Sequence, residues 1–64
     1  MNSIVISGQV ENEPEFSHEC FGEKFYRFYI NSKRNSGTYD VLPVIVSDVF
    51  VGQIKKNEYI EIEG

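Results

Sequence analysis

The sequence predicts an all-β domain, a five-stranded Greek-key barrel represented by its first four strands and one short helix. Three observations carry this reading. Apolar and polar residues alternate in short runs rich in Val, Ile, Tyr and Phe. Gly, Asn, Ser and Pro gather between those runs, where turns need them. Only one stretch, residues 48–54, has helical spacing, whereas a parallel α/β sheet needs a crossover helix for each added strand.

Each element follows in order. Ile4-Val5-Ile6 opens the first strand, Gly8 marks a bulge or sharp bend in it, and Val10 resumes it. Residues 11–22 carry Pro14, Ser17 and Gly22 and read as a loop. Phe25 to Ile30 reads as the second strand, with Tyr26, Phe28 and Ile30 on one face and Phe25, Arg27 and Tyr29 on the other. Asn31 to Gly37 is polar and turn-rich, a hairpin loop. Tyr39 to Val46 reads as the third strand, with Leu42, Val44 and Val46 on one face and Val41, Pro43 and Ile45 on the other. Pro43 has no N–H, which bars it from donating to a central ladder. Asp48 is placed to cap a helix through Ile54, bringing Phe50 and Ile54 onto the core together; Gly52 weakens that helix. Lys55 to Glu58 is a turn in which Asn57 suits a left-handed conformation. Tyr59 to Glu63 alternates as a fourth strand with Ile60 and Ile62 inward. The expected core is therefore Tyr26, Phe28, Ile30, Val44, Val46, Phe50, Ile60 and Ile62.

With 64 residues the chain is one domain, 1–64, and too small to bury a large core. Cys20 is its only cysteine, so no internal disulfide forms and a reducing, cytoplasmic compartment is expected. Neither a membrane span nor a signal peptide is visible. The net charge of −4 argues against a polyanionic ligand when taken alone. Its distribution argues otherwise. Residues 1–23 hold five acids and no Lys or Arg, whereas residues 24–34 hold four bases and no acid. A solvated strand edge guarded by lysines is the plainer alternative.

That basic strip also carries aromatics. Binding a single strand without sequence preference requires rings for bases to stack on and cations for the phosphates. Lys24, Phe25, Arg27, Tyr29, Lys33, Arg34 and Tyr39 provide both. Packing of Phe25 and Tyr29 against a partner subunit or the first loop competes with this reading. His18 and Cys20 are too few for a zinc site, and no nucleophile–base–orienter set or Gly-rich phosphate loop is present. No catalysis, cofactor or metal is expected.

The element order fits an OB-fold, with the helix between strands three and four. Several segments resemble the single-stranded DNA-binding protein family of bacteria. Met1-Asn2-x-Ile4-Val5-Ile6-x-Gly8-x-Val10 is similar to that family's opening strand, and Glu13-Pro14-Glu15 to its Asp-Pro-Glu. Phe28 stands at its usual phenylalanine, Asp40 to Val46 is similar to its third strand, and Lys55 to Gly64 to the close of its OB core. The resemblance implies sequence-nonspecific single-stranded DNA binding in replication, repair or recombination, with assembly as a dimer or tetramer and replication or repair proteins as partners. Three departures stand out. Val41 and Ser47 occupy positions where the family stacks bases on aromatics, the hairpin after strand two is short, and the chain stops at Gly64 before a fifth strand. The net charge of −4, Val41 and Ser47 support an alternative: an assembly module of the primosome-accessory type, with weak or no DNA binding. Under either reading, four strands leave an open edge that another chain or a further segment is expected to complete.

Overall fold

The computed structural model describes residues 5–34 and 36–63; Ile4, Asn35, Gly64 and the Met1-Asn2 opening lie outside them. Five strands and one helix follow in the order β1 (Val5–Val10), β2 (Glu15–Cys20), β3 (Glu23–Lys33), β4 (Tyr39–Ser47), α1 (Asp48–Val51) and β5 (Tyr59–Glu63). All strand pairings are antiparallel. The fold is the all-β OB-fold that the strand order predicted.

β3 organises the sheet. β4 pairs along it from Phe25↔Ser47 to Lys33↔Tyr39. β2 and β1 divide its other edge, β2 taking residues 23–27 and β1 reaching Ile30 and Asn31. β5 then pairs with β1, from Val5↔Glu63 to Gln9↔Tyr59. β1 and β2 therefore act as one bent barrel strand. Their junction is held by the Glu11 N–H donating to the Tyr29 carbonyl at 2.8 Å. The Asn12 Oδ1 in turn accepts from the Tyr29 N–H at 2.9 Å, a side chain standing in where the bend removes a backbone acceptor.

This corrects the reading of residues 11–22 as a loop: 11–14 connect, Glu15 to Cys20 form a strand, and Phe21-Gly22 make the tight turn into β3. The composition of β2 misleads because glutamates and a histidine are poor strand formers in isolation. Pairing with the aromatic β3 overrides that preference, helped by an edge-to-face contact of Phe16 with Tyr26 at 5.9 Å. The irregularity lies in β2, between Phe16 and His18, rather than at Gly8.

Gly8 has a different function. It is buried in a regular stretch of β1, and a Cβ there would lie 2.8 Å from the Asn31 carbonyl carbon and closer still to its oxygen. The obstacle is backbone, which has no rotamer to escape into. Gly8→Ala is therefore expected to cost about 1–3 kcal/mol by forcing β1 off β3, read as a lowered urea midpoint at unchanged slope.

Phe28, Ile30 and Val10 are fully buried. Val10 was not among the expected core residues; its register with the buried Ile30 brings it into the core. Tyr26, Val44, Val46, Ile60 and Ile62 are half-buried, and Phe50 is 55% exposed, against expectation. The helix is shorter than predicted and ends by Gly52, with Ser47 rather than Asp48 at its N-cap. Phe50 and Ile54 instead line an apolar groove of about 520 Å³ with Ile45, Val46 and Ile62, between β4 and β5. Among the described residues β4 pairs with β3 alone and β5 with β1 alone, so their other edges border this seam. Pro43 fits that arrangement. Its partner Tyr29 spends both backbone groups on Glu11 and Asn12, so Pro43 presents its missing N–H to the unpaired edge of β4. Asn57 takes the left-handed conformation expected of it, at φ 73°. Its N–H donates to the Val10 carbonyl at 2.8 Å, locking the 55–58 turn to the end of β1.

Candidate functional site

Alternation along β3 turns Phe25, Arg27, Tyr29, Asn31 and Lys33 to one face. The register sets Ser47, Ile45, Pro43, Val41 and Tyr39 of β4 beside them in the same order. On the other side of β3, Asn31 stands next to Gln9 of β1, and Gln9 next to Tyr59 of β5. Four strands thus meet at one end of the face. Ser7, Gln9, Asn31, Lys33, Tyr39 and Tyr59 line a shallow groove there of about 310 Å³.

The two tyrosines form its sides. Tyr39 is 61% and Tyr59 74% exposed. They stand three inter-strand steps apart, about 14 Å across the sheet at the usual spacing of paired strands, and their rows are offset by two residues along β3, from Lys33 to Asn31. At that separation neither ring shields the other. Between them the floor is polar. The Gln9 Nε2 donates to the Asn57 carbonyl at 3.1 Å, which fixes that amide. The Asn31 Oδ1 is buried without a hydrogen-bond partner. Lys33 is exposed at the groove, and the one ion pair among the described residues is Arg34 Nε with Asp40, across the β3–β4 hairpin.

The seven residues singled out from sequence are therefore not one cluster. Lys33 and Tyr39 sit in the groove, and Tyr29 and Arg27 lie on the same face farther along β3. Phe25 marks the far end, half-buried under His18 at a ring distance of 5.0 Å and an interplanar angle of 13°. Arg27 is paired in register with Glu15 and Lys24 with Glu19, so β2 brings acids beside this end. Lys24 falls on the Tyr26 side of the strand, off the face, although it is exposed. Arg34 has its charge balanced by Asp40.

Sequence reasoning missed Ser7, Gln9, Asn31 and Tyr59. The signal for Tyr59 was its outward position in the alternating run 59–63. It gains meaning only once β5 is seen to pair with β1.

No helix among the described residues is long and apolar enough to cross a membrane. No family model matches the chain, and no curated protein matches it. Among solved structures it is similar to the N-terminal domain of the PriB protein from Thermoanaerobacter tencongensis, solved as a dimer. The identity is 35%, the TM-score 0.83, and the match covers 98% of this chain and 72% of that one. A TM-score of this size means that the two share their fold. With identity and coverage at that level, the chain belongs to the OB-fold proteins resembling single-stranded DNA-binding proteins, alongside the PriB N-terminal domain.

Proposed function

We propose that this chain binds single-stranded DNA without sequence preference, in replication, repair or recombination. The observation that carries the reading is the groove at the four-strand end of the face, where Tyr39 and Tyr59 flank Lys33 and a polar floor. Exposed tyrosines offer π-faces that any base stacks on. Lys33 and, farther along, Arg27 supply cations, while the acidic remainder of the chain keeps the electrostatic contribution small. Titration with labelled oligo-dT at low salt tests this. Binding in the micromolar to tens-of-micromolar range, typical of non-specific association, is expected. With two or three phosphates neutralised, log K should fall against log salt with a slope of about −1.5 to −2. No binding at low salt, or a slope near zero, refutes the proposal.

A second reading, an assembly module, is favoured by the apolar row Val41, Pro43 and Ile45 on the outer face of β4 and by the unpaired seam beside it. The dimeric state of the PriB domain supports association of copies. Light scattering with and without oligo-dT separates the readings: stable oligomers that ignore DNA favour assembly.

A further inference from the structure

The β2–β3 hairpin ends in a turn whose two central residues are Phe21, at φ 50°, and Gly22, at φ 80°. Two positive φ values mark the mirror-image hairpin turn that matches strand twist, and its first position favours Asn, Asp or Gly. A bulky side chain there is a conformational outlier. Strain of this kind persists where it serves something else. No contact within the fold repays it, because Phe21 is 104% exposed. The chain thus holds its most exposed aromatic ring at the tip of the β2–β3 hairpin, at a conformational cost.

The place of that tip matters. Counting β1 and β2 as one barrel strand, Phe21 occupies the loop between barrel strands one and two, and OB-folds use that loop beside their binding face. Along β3 the distance from Phe21 to the Lys33 end is about 40 Å at roughly 3.3 Å per residue, close to the 41 Å long dimension of the fold. Aromatic groups are spaced between: Tyr29 next to Arg27, then Phe25 under His18. The acids at the tip are partly engaged. Glu23 Oε2 accepts the Ser47 hydroxyl at 2.7 Å, and Glu19 is in register with the exposed Lys24.

We infer that Phe21 is the terminal stacking platform of a single-strand path running the length of β3 from the Tyr39–Tyr59 groove, so that it sets how long a strand the protein engages. The inference rests on the binding reading above. Its ligand is one base of a single strand, taken without preference because every base has a π-face. Phe21 therefore contributes to long ligands and not to short ones.

The test is a length series of labelled oligo-dT spanning the 4 to 16 or so nucleotides that OB-folds occupy. Phe21→Ala should weaken binding of the longest oligonucleotides about 5- to 150-fold, the loss of one stacked base, and leave the shortest unchanged. Phe21→Asn places a residue suited to the turn; it should melt at or above the wild-type temperature and show the same length-dependent loss. Phe21→Trp should retain binding. The inference is overturned if Phe21→Ala and Phe21→Asn bind every length as wild type does, or if they lose short and long ligands equally. If they keep DNA binding but lose self-association in light scattering, Phe21 is a protein contact and the inference also fails. Wild-type chain that binds no length overturns the binding proposal itself, and this inference with it.

Discussion

The Tyr39→Ala/Tyr59→Ala double variant is expected to bind oligo-dT at least 30-fold more weakly than wild type while keeping its melting temperature. Each base stacked on an aromatic ring is worth about 1–3 kcal/mol by alanine substitution, and two platforms give about 2 kcal/mol at the low end. The losses should add, because the two residues stand three strands apart across the sheet and share no partner. Folding should be little affected, since both side chains are mostly exposed. Anisotropy titrations of the two single variants and the double, each beside a thermal melt, give the answer. A double variant that binds as wild type, with an unchanged melt, removes the groove from the binding mechanism and leaves the β4 apolar row as the better candidate surface.

Phe28→Ala should abolish cooperative folding. Phe28 is fully buried at the centre of β3, opposite Val44 and one position in alternation from Ile30. Removing a buried phenyl ring costs about 3–5 kcal/mol. That approaches the whole stability of a small domain, for which 5 kcal/mol is an ordinary figure. Far-ultraviolet circular dichroism without a thermal transition is the expected outcome. Phe50→Ala is the control. Both rings belong to the core expected from sequence, but Phe50 is 55% exposed at the rim of the β4–β5 seam. Its truncation should cost under about 1 kcal/mol, in proportion to the small area it buries. Equal losses at the two positions would mean that the seam is filled in solution and that Phe50 is buried there.

The contrast between these phenylalanines shows how far local pattern reaches. Alternation identified the inward side of β3, β4 and β5 correctly, because a strand's period of two depends on its own backbone alone. It could not grade burial along that side. Val10 is deeper than Val46 or Ile62 because it stands beside the buried Ile30 on β3, twenty residues away, next to a junction held by the hydrogen bond of Asn12 with Tyr29. β2 was hidden for a related reason: its glutamates and histidine form a strand only because β3 presents a complementary edge.

The candidate site divides in the same way. Tyr29, Lys33 and Tyr39 were legible because strand two and the hairpin keep them near one another in sequence. Tyr59 and Gln9 were not, since the β1–β5 pairing joins residues fifty positions apart. What the residues determined by themselves was the element order, the inward faces and the existence of a basic, aromatic strip, all properties of a few neighbouring residues. Only the tertiary structure decided where that strip becomes a groove and which cations stay unpaired. It also decided that Gly8 is glycine for want of space against Asn31 and not to bend the chain. Those outcomes depend on which strand edges meet, and register between distant segments is a property of the whole sheet.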